Sequence, residues 1–190
     1  QILKFNSMIR NENERMNKYV ERILLQAKLD RREVHLKKVP VNLNVLVDEA
    51  VEHFRLQVEE KGGVIRAELD PEGYVISADE VHMLNVVCNL IDNAIKYSHD
   101  SLNIYIYTKQ EGNRFIIGVR DTGIGIPKEA QDKVFKRFYR VPSGNVHNVK
   151  GFGLGLSYAK SIVELHGGEI QLTSKKNKGT QVEIIFKMES

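Results

Sequence analysis

The first thirty residues carry apolar positions at a seven-residue period, with polar residues between them. This spacing is typical of a helix that packs in a coiled coil or a helical bundle, although the polar stretch RNENER interrupts it. Because a single helix cannot bury its apolar stripe alone, we expect a partner helix, from outside this sequence or from a second copy; the alternative is packing on its own domain. The stripe consists of Ile2, Ile9, Met16 and Ile23, with Phe5, Tyr19, Val20 and Ala27 beside them.

A second helical pattern follows a segment that contains Pro40 and that we interpret as a connector. Asn44 is its predicted N-cap and Gly62-Gly63 its predicted end. A third pattern begins at Asp79, another predicted N-cap, and runs to about Ser98. The predicted buried stripe of the earlier helix is Val47, Ala50, Val51, Phe54 and Val58. That of the later helix is Met83, Leu84, Val87, Leu90, Ile91, Ala94 and Ile95.

The strands of the chain come in pairs. VIRAEL and YVISA flank the turn DPEG, LNIYIYTK and RFIIGVRD flank QEGN, and EIQLTSK and TQVEIIF flank KNKG, which predicts three hairpins. A last helix, LGLSYAKSIVEL, precedes the third pair. Because the strands do not alternate singly with helices, we expect a mixed or antiparallel sheet with helices on one face. This is an α+β two-layer sandwich and not a doubly wound fold.

Composition narrows the functional classes. The chain has 190 residues, 42% of them hydrophobic and 28% charged, with a net charge of +3. This charge is too small to indicate nucleic-acid binding by itself, and no apolar run is long enough to span a bilayer. Cys88 is the only cysteine, so an internal disulfide is excluded and a reducing compartment is favoured. Because the sequence begins with Gln1 and not with Met, we expect a piece of a longer protein.

The helix that contains CNLIDNAIKYS has an unusual polar stripe. At about 100° per residue, Asn89, Asn93, Lys96 and Tyr97 fall on one side of the helix. Carboxamide oxygens are hard ligands that suit Mg²⁺, and a lysine one turn away suits a phosphate. The alternative is a solvated face that is rich in asparagine, and the stripe alone does not decide between the two.

The stretch DTGIGIP places a carboxylate and two glycines at the end of an apolar strand. Asp121, if partly buried, needs a hydrogen-bond donor, because an ionised carboxylate only accepts; the amino group of adenine is one such donor. Gly123 and Gly125 permit close approach and unusual φ angles, and Ile124 and Ile126 can line a base. The alternative is a turn that only ends the strand.

A second glycine-rich stretch, GFGLGL at residues 151–156, opens the last helix. It is not the dinucleotide fingerprint, because Leu156 stands where that pattern requires glycine, and no Lys-Ser/Thr pair follows as in the phosphate loop. A helix N-terminus of this kind offers free N–H groups and a positive dipole end to an anion. Phosphate binding and a hinge are both compatible with it.

Taken in order, NLIDNAIKYS, DTGIGIP, VFKRFYR and GFGLGL resemble the N, G1, F and G2 boxes of sensor histidine kinases, and KGTQVEI resembles their third glycine element. The resemblance extends from about residue 40 to the C-terminus. Residues 1–35 resemble the second helix of the family's dimerisation bundle with its linker, and residues 36–190 its catalytic domain. The fold implied is the Bergerat ATP-binding fold, shared with DNA gyrase, heat-shock chaperone and mismatch-repair ATPases.

The resemblance also implies roles for single residues. By position, Asn93 coordinates Mg²⁺ with help from Asn89, Lys96 and Tyr97 face the phosphates and the lid, and Asp121 binds adenine. Pocket-shaping roles fall to Gly123, Gly125 and Ile126, with Thr180 acting through water.

On the phosphate side, Arg140 is the candidate for the terminal phosphate, ahead of Arg137 and Lys150. Residues 141–152 correspond to the lid. The backbone that reaches the phosphates corresponds to Gly151, Gly153, Leu154, Gly155 and Leu156.

Position 89 distinguishes kinases from hydrolases within this resemblance. The related ATP hydrolases carry a glutamate, the general base toward water, four residues before the essential asparagine, whereas this chain has Asn89, which has negligible basicity. The hydrolases also tend to carry an acidic residue where Lys96 stands. Both differences favour phosphoryl transfer. None of the six histidines has the sequence context of the family's phosphoacceptor, so we expect that histidine upstream of this sequence.

The implied function is transfer of the ATP γ-phosphoryl to a histidine on the absent bundle helix, for relay to an aspartate of a response-regulator receiver domain. Asn93, Lys96 and Arg140 are the implied catalytic residues, and ATP and Mg²⁺ the implied cofactors. The whole protein is expected to be a homodimer through its bundle. This part is expected to lie in the cytoplasm and to contact neither nucleic acid nor a membrane, whether or not an upstream segment anchors the parent protein in a membrane. Alternatives are a nucleotide-gated binding module and a serine kinase of the same fold.

Overall fold

The computed structural model describes residues 33–98, 102–141 and 152–188, together with some positions between 5 and 28. The chain divides into two compact units, Gln1–Leu36 and Lys37–Ser190. In the first unit, every described position between 5 and 28 is helical, as the seven-residue period predicts. The assignment of residues 1–35 to a dimerisation helix, and its partner helix, stay predictions. Large apolar side chains exposed on this helix are Phe5, Ile9, Met16, Val20 and Leu24.

The second unit begins with strand β1 (Val39–Asn42) and helix α1 (Leu43–Glu60). The segment around Pro40, a connector in the sequence interpretation, therefore contains a short strand. Proline is tolerated there because β1 pairs with a single neighbour, β3 (Val75–Ala78), in a two-stranded sheet.

The predicted cap of α1 is wrong by two residues. Asn42 is the N-cap, because its Oδ1 accepts from the backbone amides of Asn44 (2.9 Å) and Val45 (3.4 Å). The side chain of Asn44 instead donates to the Asp70 carbonyl (2.6 Å) and accepts from the Thr108 hydroxyl (2.7 Å). The predicted buried stripe is confirmed for Val47, Ala50, Val51, Phe54 and Val58.

The strands on either side of DPEG do not form the predicted hairpin. β2 (Val64–Glu68) pairs in parallel with β4 (Asn103–Glu111), whereas β3 pairs with β1. The segment between β2 and β3 is bound to other elements. The Asp70 amide donates to Thr108 Oγ1 on β4 (2.8 Å), and the Tyr74 carbonyl accepts from the Leu43 amide of α1 (2.9 Å). These contacts lead the chain away from β2, so the two strands join different sheets.

The main sheet has five strands in the order β2-β4-β5-β7-β6. Its remaining members are β5 (Arg114–Asp121), β6 (Glu169–Lys175) and β7 (Gly179–Lys187). The hairpins β4-β5 and β6-β7 are antiparallel, as predicted, and β5 pairs antiparallel with β7. Because β2 and β4 are parallel, the sheet is mixed.

Helices form the second layer of the fold. α2 (Glu80–Lys96) contacts α1, β4, β5 and α4 (Gly155–Leu165), and the four-residue helix α3 (Lys128–Gln131) precedes α4. This arrangement confirms the predicted α+β two-layer sandwich. No helix in the described part of the chain is both long and apolar enough to cross a bilayer. The buried sheet residues of the core include Ile104, Ile106, Phe115, Ile117, Val182 and Ile184.

Candidate functional site

The polar stripe of α2 lies against the start of α4. A Cβ atom placed on Gly155, the first residue of α4, would lie 3.5 Å from Asn89 Oδ1 and 3.6 Å from Asn93 Nδ2. The Asn89 amide group donates to the Asn85 carbonyl (2.8 Å), so its oxygen is the atom directed toward Gly155. The two asparagine side chains, four residues apart on α2, therefore both lie next to the N-terminus of α4.

Lys96 lies one turn further along α2 and forms an ion pair with Asp92. Both side chains are about one-third exposed, 33% and 29% respectively. The sequence interpretation identified Lys96 but not Asp92. An i, i+4 ion pair at a partly exposed position contributes little to stability, so Lys96 can exchange this partner for another anion at low cost.

The end of α2 also holds the first glycine loop. The Tyr97 carbonyl accepts from the Ile124 amide (2.9 Å). A Cβ atom on Gly123 would lie 2.2 Å from the same carbonyl, and one on Gly125, whose φ is +64°, would lie 2.1 Å from the Lys175 carbonyl. The loop therefore packs backbone against backbone on both sides, and the two glycines are required for it.

Asp121 ends β5 beside this loop. Its Oδ1 atom accepts from the amides of Gly123 (2.8 Å) and Thr180 (3.2 Å). Burial raises the pKa of the Asp121 carboxyl, and the two amides oppose this rise only in part. Among the hydrogen bonds of the described residues, both that reach this carboxylate go to Oδ1. Oδ2 can therefore accept from a ligand.

Two further polar side chains, which the sequence interpretation missed, form hydrogen bonds with the backbone of the first glycine loop at Ile126. Ser174 Oγ accepts from the Ile126 amide (2.8 Å). Gln131 Nε2 donates to the carbonyls of Ile126 (2.9 Å) and Ser174 (2.8 Å). A signal for Ser174 was present, because it occupies an inward-facing position of β6 in register with Thr180. Gln131 gives no comparable signal in the sequence.

The aromatic box meets the second glycine stretch at Phe138, whose amide donates to the Gly153 carbonyl (2.9 Å). Phe138 has a φ of 59°, and Arg140 follows two residues later with an exposed side chain. Most of the predicted lid, with Lys150 and Gly151, lies outside the described residues. The Phe138–Gly153 contact joins the two segments that flank it.

The N-terminus of α4 follows directly. Leu154 is buried and precedes the first helical residue, and no side chain of the described residues caps this end. The Ser157 hydroxyl donates to the Leu154 carbonyl (3.0 Å) and so does not cover the amides. The N-terminus of α4 is thus placed, at Gly155, beside Asn89 and Asn93, and Leu156 follows as its second residue; a helix N-terminus suits an anion.

The structure therefore brings the predicted residues into two adjoining groups. Asn89, Asn93 and Gly155 form one, with Leu156 next to Gly155 in the chain, and Asp121, Gly123, Gly125, Ile126 and Thr180 form the other. Tyr97 joins them through its backbone.

Comparison with known proteins identifies the family to which this domain belongs. Residues 78–190 match the family model described as histidine kinase-, DNA gyrase B-, and HSP90-like ATPase. The chain belongs to this family. The match begins just before α2 and includes both groups of site residues.

Within this family, the chain is similar to sensor kinases. It is 41% identical over 178 residues to the sensor protein RprX of Bacteroides fragilis, covering 93% of this chain and 34% of that protein. It is 35% identical over 188 residues to the sensor protein kinase WalK of Staphylococcus saprophyticus, covering 98% and 30%. The chain thus spans about a third of the length of these relatives. It corresponds to the part of these sensor kinases that contains the ATPase-family domain, in agreement with its motifs.

Solved structures agree on the fold. Full-length ShkA in complex with AMPPNP has a TM-score of 0.82 at 22% identity, covering 97% of this chain and 38% of that one. The histidine kinase ThkA in complex with the response regulator TrrA has a TM-score of 0.74 at 25% identity, covering 96% and 50%.

Proposed function

We propose that this domain binds ATP with Mg²⁺ and transfers the γ-phosphoryl group to an imidazole nitrogen of a histidine on a helical bundle outside this sequence. An aspartate of a response-regulator receiver domain then accepts the group. The observation that carries this proposal is the pair of residue groups described above. One contains two carboxamides beside a helix N-terminus, and the other contains a half-buried carboxylate that can accept a hydrogen bond.

Base recognition rests on Asp121. Its Oδ1 atom is occupied by two backbone amides, which fix the carboxylate plane and leave Oδ2 to accept from the amino group of adenine. Ile126, whose amide is held by Ser174, shapes the pocket with Gly123 and Gly125. The complex of the similar ShkA with AMPPNP supports an adenine nucleotide as the ligand.

The residues at the phosphate end fit Mg²⁺. The oxygens of Asn93 and Asn89 would hold the ion, with phosphate oxygens and water completing its shell, as Mg²⁺ prefers. The described residues contain no cluster of three or more His, Cys, Asp or Glu side chains that could hold a metal ion. When bound, Mg²⁺ neutralises charge on the phosphates.

Catalysis in this proposal is positioning and charge neutralisation. The acceptor imidazole nitrogen attacks the γ-phosphorus, the bond from that phosphorus to the bridging oxygen breaks, and ADP leaves. Lys96 exchanges Asp92 for a phosphate oxygen, and Arg140 reaches the terminal phosphate from its exposed position. The amides of Gly155 and Leu156 bind the other phosphate oxygens, together with the glycine backbone before them.

The described histidines of the second unit do not suit the acceptor role. His166 accepts from the Asp79 amide (2.9 Å) and contacts the Ile162 carbonyl through Nδ1 (2.7 Å), and His82 Nδ1 contacts the Tyr158 hydroxyl (3.0 Å). His53 is exposed beside Phe54, without a neighbouring acidic residue of the acceptor type. Together with the sequence context of all six histidines, these contacts support a phosphoacceptor on the bundle.

The partners and location follow from this assignment. The complex of ThkA with TrrA supports a receiver domain as the partner, and the helical first unit supports a homodimer of the whole protein through its bundle. We place this part of the protein in the cytoplasm, where ATP and the regulator are present. The names of the relatives do not favour the binding-module or serine-kinase alternatives.

The test is reconstitution of the transfer. This chain, the helical hairpin of the parent protein and ATP labelled on the γ-phosphate should give an acid-labile, alkali-stable label on the hairpin. The chain alone should not label itself, and Asn93→Ala should abolish the label. Labelling of serine, or of this chain in the absence of the hairpin, would contradict the proposed acceptor.

A further inference from the structure

We propose that Ser174 determines the base specificity of the nucleotide site by fixing the hydroxyl group of Thr180 as a hydrogen-bond acceptor. The proposal rests on the proposed function, in which the pocket beside Asp121 holds the base. It assigns a role in specificity to Ser174, which forms none of the described hydrogen bonds to the Asp121 carboxylate.

The hydrogen bonds of Ser174 leave one consistent placement of its proton. Its Oγ lies 2.8 Å from the Ile126 amide nitrogen, 2.8 Å from the Gly179 carbonyl oxygen and 3.0 Å from Thr180 Oγ1. The amide can only donate and the carbonyl can only accept, whereas a serine hydroxyl has a single proton. That proton goes to Gly179, so the contact with Thr180 must be made by the proton of Thr180.

Thr180 is thereby left with acceptor capacity only. Its hydroxyl proton is directed to Ser174, and its backbone amide donates to Asp121 Oδ1 (3.2 Å). Asp121 is itself acceptor-only when ionised. A base, or a water that bridges to the base, therefore meets two adjacent acceptors at this end of the pocket.

Two adjacent acceptors distinguish adenine from guanine. Adenine carries an amino group at the position where guanine carries a carbonyl oxygen, and the amino group can donate to both acceptors or to a water held by them. The guanine carbonyl would leave two half-buried acceptors facing a third acceptor, which is costly because polar groups removed from water need partners. If the Thr180 proton were free to rotate, it could donate to that carbonyl and weaken the discrimination.

Gln131 offers a way to separate specificity from support. Its Nε2 donates to the carbonyls of Ile126 and Ser174, so it holds the backbone of the same two residues. Among the hydrogen bonds of the described residues, none joins Gln131 to Thr180. Loss of Gln131 should loosen the pocket for every base alike, whereas loss of the Ser174 hydroxyl should change the preference between bases.

The experiment is calorimetric titration of ATP and GTP, each with Mg²⁺, into the full chain and its variants. In Ser174→Ala, the ratio of GTP Kd to ATP Kd should fall about tenfold, the factor that one hydrogen bond of ordinary net strength supplies. In Gln131→Ala, both Kd values should rise by the same factor and the ratio should be unchanged. Thr173→Ala, a neighbouring exposed position on the other face of β6, is the control and should match the wild type.

A second set of variants keeps the proposal testable if Ser174→Ala does not fold. Thr180→Ser retains the hydroxyl and should keep the ratio, whereas Thr180→Val should lower it. Where both can be made, Ser174→Ala in the Thr180→Val background should cause no further fall in the ratio, because Ser174 acts through the Thr180 hydroxyl.

The outcomes separate this inference from the proposed function. An unchanged ratio in Ser174→Ala, or in Thr180→Val, would overturn the specificity role whatever happens to the absolute affinities. A wild-type chain that binds neither nucleotide would instead contradict the proposed function.

Discussion

At the scale of single residues, Asp121 is proposed to improve nucleotide binding while it lowers the stability of the nucleotide-free domain. Burial raises the pKa of its carboxyl, so the folded form holds its proton more tightly than the unfolded form does. Such a group stabilises the fold below the ordinary Asp pKa of about 3.9, and this stability is lost as pH rises through the folded pKa. At neutral pH, the ionised carboxylate therefore lowers the free energy of unfolding of the nucleotide-free domain.

Asp121→Asn should consequently have effects of opposite sign. Asparagine keeps an oxygen for the amides of Gly123 and Thr180 but cannot accept from adenine at the second position, so the ATP Kd should rise about tenfold to a hundredfold. The melting temperature of the nucleotide-free domain at pH 7 should be equal or higher. Calorimetry and thermal unfolding measure the two effects. A fall in melting temperature together with the loss of affinity would indicate damage to the fold and not the loss of base recognition.

Asn93 makes a different prediction, because its side chain is half-exposed on a helix. Alanine is a better helix former than asparagine, so Asn93→Ala should leave the melting temperature unchanged or slightly raised. Nucleotide binding that depends on Mg²⁺ should be lost. Titration of ATP with Mg²⁺ and with EDTA provides the measurement, and Asn85→Ala, on an exposed turn of the same helix, is the matched control. Undiminished affinity in Asn93→Ala would remove this residue from the metal site.

At the scale of elements, the start of α2 is joined to the end of α4 by a histidine. The Asp79 amide donates to His166 Nε2 (2.9 Å), so that nitrogen must be unprotonated. Asp79 is also the N-cap of α2 and accepts from the amides of His82 (3.1 Å) and Lys37 (2.9 Å). Burial lowers the pKa of His166, and the hydrogen bond to Ile162 opposes this only in part.

This geometry predicts how stability depends on pH. Because the folded state disfavours the protonated imidazole, its contribution to stability is fully present above the ordinary His pKa of about 6.5 and is lost as pH falls below it. The melting temperature should therefore fall between pH 7 and pH 5.5. His166→Gln should reduce this dependence, whereas His53→Gln, at an exposed position, should leave it unchanged. An unaltered pH profile in His166→Gln would show that another group is responsible.

The same elements show what the sequence could predict. Helices and strands follow from local periodicity, so α1, α2 and two of the three hairpins were predictable. Strand pairing depends on contacts distant in sequence, such as that of Asp70 with Thr108, and β2 and β3 therefore went to different sheets. Candidate site residues on a periodic stripe or in a glycine motif, such as Asn89 and Asp121, could be proposed for the same local reason. Ser174 was indicated only by its inward-facing position on β6, whereas the ion pair of Asp92 and the two hydrogen bonds of Gln131 have no counterpart in the sequence pattern.

At the scale of the whole molecule, all the described candidate site residues belong to one of the two compact units, Lys37–Ser190. Their contacts come from α2, β5, β6, β7 and the start of α4, and all of these elements lie within that unit. Nucleotide binding should therefore be independent of the first unit. The helix of the first unit exposes apolar side chains, including Phe5, Ile9, Met16, Val20 and Leu24, so association with other helices should depend on it.

A chain of residues 37–190 tests this division of roles. It should bind ATP with Mg²⁺ within about twofold of the affinity of residues 1–190, since it keeps every described contact of the site. In sedimentation experiments, residues 37–190 should remain monomeric, and any self-association should be confined to the longer chain, where the apolar stripe can pack against a second copy. Replacing Ile9 and Met16 by glutamate in the longer chain should remove that association and leave ATP affinity unchanged. A folded 37–190 chain with much weaker ATP binding would show that the first unit contributes to the nucleotide site.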